Sequence, residues 1–121
     1  MNKNSGWIGV DLDGTLAEYT EWKGIDYIGP PIPAMVDRVR KWLDEGKWIK
    51  IFTARVSEQG DPRDITKTRY YIGEWCLKHL GRRLEVTNVK DYAMIMLYDD
   101  RCTQVECNTW KIVTGKHHSQ I

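Results

Sequence analysis

Three short apolar runs, each ending abruptly in polar residues, restrict this chain to a small set of folds. The runs occupy residues 7–10, 48–52 and 93–98. Runs of this length that stop at polar or turn-forming residues predict buried β-strands. The residues that end them are Asp11, Thr53 and Asp99. Two weaker runs, residues 84–87 and 110–113, predict further strands.

Two amphipathic helical patterns lie between these strands. In the first, over residues 32–43, apolar residues recur at steps of three and four, with a proline near the start. The second, over residues 61–80, begins with Asp61 as an N-cap and a proline at the first helical position, and Gly81 closes it. Strands that alternate with helices predict parallel crossover units and therefore an α/β fold.

The polar residues that follow the predicted strands are expected to share one place in that fold. In open parallel sheets, ligands bind beyond the carboxyl ends of the strands. Asp11, Asp13, Thr53, Asp99 and Asp100 are far apart in sequence, but each lies at or just after such an end. They are therefore predicted to converge on one edge of the sheet.

Length and charge limit the classes of protein that remain. The chain of 121 residues predicts one domain over residues 1–121, with its core at about 6–114 and a disordered tail at 115–121. A net charge of +1, from 18 basic and 17 acidic residues, argues against a protein that wraps duplex nucleic acid. A nucleotide or a nucleic-acid end stays open as a substrate.

Cysteine usage and hydropathy predict the compartment. The three cysteines include no C-x-x-C pair, which disfavours a zinc site or a disulfide framework and predicts buried thiols in a reducing compartment. The apolar run before Asp11 is too short for a signal peptide, and no later run approaches transmembrane length. We therefore expect a cytoplasmic protein without a membrane partner.

The predicted edge carries the residue types that phosphoryl transfer needs. A phosphate monoester is anionic, so a carboxylate can attack it only if a cation such as Mg²⁺ offsets the repulsion; Asp11 with Asp99 or Asp100 is suited to bind one. An aspartate can also attack phosphorus itself, while a carboxylate two residues away protonates the leaving oxygen. Gly14 permits a tight turn that brings N–H groups near the phosphate, and Thr53 offers a hydroxyl.

The string Asp11-Leu12-Asp13-Gly14-Thr15-Leu16 after the first strand resembles the signature of the haloacid dehalogenase-like (HAD) hydrolase superfamily. The later parts follow in the family's order, with Ile51-Phe52-Thr53, then a lysine, then Leu97-Tyr98-Asp99-Asp100. The resemblance covers roughly residues 7–101. It implies a three-layer Rossmann-like parallel sheet with flanking helices, Mg²⁺ dependence and, usually, phosphatase activity through an aspartyl-phosphate.

Carried over residue by residue, the resemblance assigns a role to each motif residue. It implies that Asp11 is the nucleophile and a metal ligand. It implies that Asp13 is the general acid and base, and that it binds the metal through its backbone carbonyl. Asp99 and Asp100 would complete the metal site, and Thr53 would bind phosphate. An aspartate at position 13 also favours the hydrolysis of phosphate esters over that of carbon–halogen bonds.

Further contacts to the substrate phosphate are predicted beside these residues. The candidates are Leu12, Gly14, Thr53, Ala54, Arg55 and Lys90. Lys90 is preferred over Lys67 as the catalytic lysine because it lies in a turn between two predicted strands, nine residues before Asp99. Lys67 lies inside a predicted helix. Arg55 is placed two residues after Thr53, although a solvated surface position is the alternative for it.

The gaps between the motifs leave no room for a large cap domain. Residues 18–30 either cover the site with their aromatic side chains or pack on the first helix. Similarity to capless members implies an open site for a bulky or macromolecular phosphate, or an oligomer that acts on a small metabolite. The alternatives are a polynucleotide-end or nucleotide phosphatase, and a phospho-acceptor or regulatory binding protein with little turnover.

Overall fold

The computed structural model describes residues 6–113, which form a β-sheet with helices packed on it. The strands are β1 (Trp7–Asp11), β2 (Trp48–Phe52), β3 (Glu85–Thr87) and β4 (Met94–Tyr98). The helices are α1 (Pro33–Asp44) and α2 (Pro62–Leu80), and a 3₁₀ turn spans Ala54–Val56. The observed strand bounds differ from the predicted ones by no more than one residue at either end.

All four strands run parallel, in the order β3-β2-β1-β4. In register, Asp11 lies opposite Phe52, and Phe52 lies opposite Thr87, so the carboxyl ends of three strands are level. The part of the chain that the structure describes contains no large cap domain. The prediction of an α/β, Rossmann-like parallel sheet with flanking helices is confirmed.

Local sequence explains where both helices begin. Helix α1 has Pro33 in its first turn, where the missing N–H would have no helical partner, and Ile32 before it provides no side-chain cap. Helix α2 has a cap, because Asp61 Oδ1 accepts the N–H of Arg63 at 2.8 Å. It ends at Gly81, whose φ of +86° lies in the left-handed region that favours glycine. The predicted limits of α2 are confirmed.

The core lies between one face of the sheet and both helices. Alternate residues of β1 and β2 face it, namely Val10, Ile49 and Ile51. The helices contribute Met35, Val36, Val39, Leu43, Ile72, Trp75, Cys76 and Leu80. Burial of each large apolar side chain stabilises the fold by about 1.5–3 kcal/mol relative to its exposure. This packing fixes β1 and β2, and it therefore orients the residues that follow them.

The opposite face of the sheet is covered by aromatic and charged side chains. Trp7 is fully buried, and its Nε1 donates to Asp91 Oδ1 at 2.8 Å. Lys50 Nζ lies 4.6 Å from the centre of the Trp7 ring and 5.1 Å from that of Trp48. It also lies 3.7 Å from a Glu85 oxygen and 3.9 Å from an Asp91 oxygen.

The weaker strand predicted at residues 110–113 is wrong. A single antiparallel bridge joins Val105 to Ile112, and Trp110 is 83% exposed. A short apolar run forms a stable strand only beside a paired neighbour, and this segment pairs only locally. The disordered tail predicted at residues 115–121 lies outside the described part of the chain.

The cysteine prediction is correct for one residue of three. Cys76 is buried in the core, whereas Cys102 and Cys107 are exposed, and all three are free. Burial raises the pKa of the Cys76 thiol to about 12, as expected for an unreactive core residue.

Among the described residues, no helix combines the length and the apolar character needed to cross a bilayer.

Candidate active site

Three carboxylates meet at the carboxyl ends of β1 and β4. Asp11 is the last residue of β1, and Asp99 and Asp100 directly follow β4, its neighbour in the sheet. One oxygen of each carboxylate lies within 4.8 Å of the other two. We call these residues the acidic triad. The structure thus brings together three of the four predicted metal ligands.

The surroundings of Asp11 raise the pKa of its carboxyl to about 8. The largest cause is burial, which disfavours the charged form, followed by a hydrogen bond with Asp100. The negative charges of Asp99, Asp100 and Asp13 raise this pKa further. A cation among these oxygens would supply the missing opposite charge, and carboxylate oxygens are ligands that Mg²⁺ prefers. The donor set therefore fits a divalent cation.

The loop after β1 is shaped to lie against Asp100. Gly14 has a φ of +90°, and a Cβ added there would lie 2.6 Å from Asp100 Oδ2. Thr15 Oγ1 accepts the N–H of Asp100 at 3.0 Å and lies 3.4 Å from Asp11 Oδ2. Thr15 therefore links the two strand ends that form the acidic triad. Sequence reasoning missed it as a site residue, although the motif after the first strand contained it.

Asp13 lies apart from the acidic triad and pairs with Arg55. Arg55 Nε donates to Asp13 Oδ2 at 2.7 Å, and Nη2 donates to Oδ1 at 2.8 Å, which makes a bidentate pair. Nη2 also donates to the Tyr27 carbonyl at 3.0 Å. For Arg55 the sequence left open a phosphate contact or a solvated surface position. Its side chain is 6% exposed, so the solvated surface position is wrong. The contact of the Asp13 carbonyl with a metal stays a prediction.

Thr53 is buried directly after β2 and is 2% exposed. Its Oγ1 accepts the N–H of Arg55 at 3.2 Å. Its own N–H donates to the Thr87 carbonyl at 2.9 Å and so continues the sheet. The hydroxyl proton can therefore still be donated, whereas the backbone N–H is already used. Ala54 begins the 3₁₀ turn and lines the same cleft.

Leu12 and Gly14, two of the predicted phosphate contacts, use backbone groups within their own loop. The Leu12 side chain is fully buried, and its carbonyl accepts the N–H groups of Leu16 and Ala17 at 3.0 and 2.9 Å. The Gly14 N–H donates to the Ala17 carbonyl at 2.8 Å. A phosphate contact from Gly14 would require this hydrogen bond to open.

Neither candidate lysine lines the cleft beside the acidic triad. Lys90 is exposed in the loop that follows β3. The carboxyl end of β3 lies at the same edge of the sheet as the site. Lys67 is exposed on α2, in a surface depression that it shares with Asp61 and Asp64. The positions of the two lysines do not favour either one, so the assignment of Lys90 as the catalytic lysine stays a prediction.

Residues 18–30 form a loop over the site, closed at its base by an antiparallel bridge between Ala17 and Pro31. Tyr19 and Trp22 from this loop line the cleft, and they are 48% and 54% exposed. Of the two arrangements left open by the sequence, the structure therefore favours the one in which the loop covers the site. We call residues 18–30 the flap.

The cleft between the flap and the strand ends has a volume of about 990 Å³. Six carboxylates line it, from Asp11, Asp13, Asp61, Asp64, Asp99 and Asp100. Its apolar wall is formed by Tyr19, Trp22, Ile25, Phe52 and Ile65. Ligand sites commonly join an apolar wall to a few convergent polar groups, and this cleft is at the large end of their roughly 300–1,000 Å³ range.

Comparison with known proteins supports the fold alone. No protein-family model matches the sequence. No curated protein matches it either. A solved structure of a conserved protein from Bacteroides thetaiotaomicron is similar, with a TM-score of 0.55 and 21% sequence identity. The similarity covers 82% of this chain and 78% of that chain. At this identity the likeness concerns architecture, and function has to be argued from the site.

Proposed function

We propose that this protein is a Mg²⁺-dependent phosphatase that hydrolyses phosphate monoesters through an aspartyl-phosphate on Asp11. One observation carries the proposal. Asp11 lies in a cluster of three carboxylates, whereas Asp13, two residues later, is held apart by Arg55. The three clustered carboxylates are suited to metal binding and attack, whereas the Asp13 side chain lies outside that ligand set, as the proposed proton carrier requires.

The acidic triad supplies the ligands for the proposed Mg²⁺. Three carboxylates with oxygens within 4.8 Å of one another suit an ion that binds one or more carboxylates together with water and substrate oxygens. When bound, the ion would offset the charge of the substrate phosphate and of Asp11. Thr15 holds the backbone of Asp100, so it would keep one ligand in place.

The protein groups then account for each bond and proton. An oxygen of Asp11 forms a bond to phosphorus, and the bond from phosphorus to the ester oxygen breaks. Asp13 delivers a proton to that oxygen, so the alcohol leaves uncharged, and this requires one of its two hydrogen bonds with Arg55 to open. Asp13 next takes a proton from water, whose oxygen attacks phosphorus and breaks the bond to Asp11. Inorganic phosphate then leaves. In both steps the Thr53 hydroxyl can donate a hydrogen bond to a phosphoryl oxygen.

The first test is Asp11→Asn. This change removes the nucleophile and is expected to reduce Mg²⁺-dependent hydrolysis of p-nitrophenyl phosphate by roughly three orders of magnitude or more. Asp37→Asn, on the exposed surface of α1, is the matched control and should retain wild-type turnover. Undiminished activity in the Asp11→Asn protein would refute Asp11 as the nucleophile.

Two alternatives are separated by the same assay. A phospho-acceptor or regulatory protein would keep its phosphate on Asp11 for minutes and turn over slowly. A nucleotide or polynucleotide-end phosphatase would show a much higher rate on those substrates than on p-nitrophenyl phosphate. The open cleft with its aromatic flap is compatible with a bulky substrate of this kind. A cytoplasmic location and an oligomeric state stay predictions.

A further inference from the structure

Arg55 is buried beside the site with one nitrogen that the hydrogen bonds of the protein leave unused. Its Nε and Nη2 are bound by the Asp13 carboxylate, and Nη2 also by the Tyr27 carbonyl. Nη1 is buried as well, and it finds no acceptor among residues 6–113. Only 6% of the side chain is exposed, so this nitrogen is withdrawn from bulk solvent.

Trp22, from the flap, packs against this guanidinium. The Arg55 guanidinium carbon lies 4.9 Å from the centre of the Trp22 ring, whose π face partly offsets the positive charge. Trp22 is 54% exposed and belongs to the flap, so its ring can swing into solvent without opening the core. Movement of the flap would open the guanidinium to the cleft that Arg55 lines. An oxygen atom that approached Nη1 in the plane of the guanidinium would give it the acceptor it lacks, and unpaired buried donors of a charged group are costly.

Charge indicates which kind of oxygen atom fits. Arg55 and Arg101 are the cations that line the cleft, against six carboxylates. The Asp13 carboxylate occupies only one edge of the Arg55 guanidinium, and an arginine nitrogen binds an oxyanion more strongly than a neutral acceptor. A carboxylate or phosphate oxygen is therefore the ligand chemistry that Nη1 favours.

The position of Nη1 indicates which part of a substrate would carry this anion. Nη1 belongs to the same planar group as the two nitrogens that hold Asp13, so a ligand bound there is separated from the Asp13 carboxylate by only the width of the guanidinium. In the proposed reaction, Asp13 protonates the leaving oxygen, whereas the transferred phosphoryl group faces Asp11. An anion on Nη1 would consequently belong to the leaving group.

We propose that Arg55 Nη1 binds a second oxyanion, a carboxylate or a phosphate, that the leaving group of the substrate carries next to the ester oxygen. This inference rests on the proposed phosphatase function. It makes Arg55 a specificity-determining residue in addition to the partner that orients Asp13. The flap, with Trp22, moves to admit such a substrate.

The test compares three small substrates that differ in one group. They are 2-hydroxyethyl phosphate, which is neutral at that group, 2-phosphoglycolate, which has a carboxylate, and ethane-1,2-diol bisphosphate, which has a phosphate. We expect the wild-type KM to be lower by about tenfold or more for at least one anionic substrate than for the neutral one. The anion that gives the larger effect identifies the source. In Arg55→Lys, which keeps the charge but loses the planar fork, the three KM values should become similar.

Two kinetic results on the wild type and Arg55→Lys would overturn the proposal. One is a wild-type KM that is the same for all three substrates. The other is an Arg55→Lys protein that loses the same factor on all three, because Arg55 would then act through Asp13 alone. Trp22→Ala, a change at an exposed residue, should keep or increase the preference for the anion. Loss of the preference in Trp22→Ala would assign recognition to the indole ring and also contradict the proposal.

Binding to the Asp11→Asn protein separates this inference from the proposed function. In the presence of Mg²⁺, we expect the anionic compounds to raise its Tm more than 2-hydroxyethyl phosphate does. If they do so while the wild type hydrolyses none of the compounds, the phosphatase proposal fails and the Arg55 site stands. If the wild type hydrolyses all three and the Tm shifts are equal, the Arg55 site fails and the phosphatase stands.

Discussion

At Gly14, the absence of a side chain allows Asp100 to approach the other two acids of the triad. Two separate constraints act on this residue. Its φ of +90° disfavours any residue with a Cβ, and a Cβ would lie 2.6 Å from Asp100 Oδ2. The second constraint concerns the site alone, because a Cβ at position 14 would push Asp100, a proposed metal ligand, away from Asp11.

Gly14→Ala should therefore affect metal binding more than folding. We expect a loss of about 1–2 kcal/mol in the free energy of unfolding from backbone strain, and a Mg²⁺ affinity about 10–100-fold weaker because a ligand is misplaced. Gly46→Ala is the matched control, since Gly46 has a φ of +79° but nothing within 4 Å of an added Cβ. Calorimetric titration with Mg²⁺ and urea unfolding measure both effects. Equal Mg²⁺ affinities in the two variants would show that Asp100 is not a ligand.

Sequence reasoning at this scale succeeded where chain position alone determines location. Asp11, Asp99 and Thr53 were placed at the site edge because each ends a strand, and parallel strands bring their carboxyl ends together. The pairing of Arg55 with Asp13 could not be predicted in this way. It depends on how the 3₁₀ turn after β2 aims one side chain across the cleft, which no local pattern specifies.

Among the larger elements, the flap is attached to α2 by one buried hydrogen bond. Trp75 Nε1 donates to the carbonyl of Gly29 at 3.0 Å. Trp75→Phe keeps an aromatic ring in the core but leaves this carbonyl without its donor. We expect a loss of about 1–3 kcal/mol in the free energy of unfolding and faster amide hydrogen exchange across residues 18–30 than in the wild type.

The control for this prediction is Trp42→Phe. Trp42 packs on Tyr98 with ring centres 5.0 Å apart, and its indole nitrogen has no hydrogen-bond partner among the described residues. Its replacement should therefore leave hydrogen exchange in the flap unchanged. Equal exchange rates in the two variants would show that Trp75 does not anchor the flap.

Helices and strands with several independent sequence signals were predicted more accurately than those with one. Helix α2 combines a capping aspartate, a proline at the first helical position and a closing glycine, and its limits were predicted correctly. The run at residues 110–113 had apolar residues alone. It failed because strand formation needs a partner, and the partner of this segment is a short stretch around Val105 rather than the sheet. The pattern of apolar residues is a property of one segment, whereas strand formation also depends on a second segment that pairs with it.

The stability of the whole molecule is expected to depend on pH through Asp11. Its pKa rises from the ordinary value of 3.8 to about 8 in the folded protein, mainly through burial. Between these values the folded state retains a proton that the unfolded state has released. The free energy of unfolding therefore falls as pH rises across this window. Below the window both states are protonated, and above it both are ionised, so the contribution of Asp11 no longer changes.

Without metal, Asp11→Asn should consequently be more stable than the wild type at about pH 8, and by a smaller margin at about pH 5. Mg²⁺ binds the ionised carboxylates, so it should raise the urea midpoint of the wild type more at the higher pH and raise that of the variant little. His79 acts in the opposite direction, because burial lowers its pKa. Its contribution is common to both proteins and cancels in their difference. A metal-free wild type that exceeds Asp11→Asn in stability at the higher pH would contradict the raised pKa of Asp11, and with it the electrostatic reason for a cation at the acidic triad.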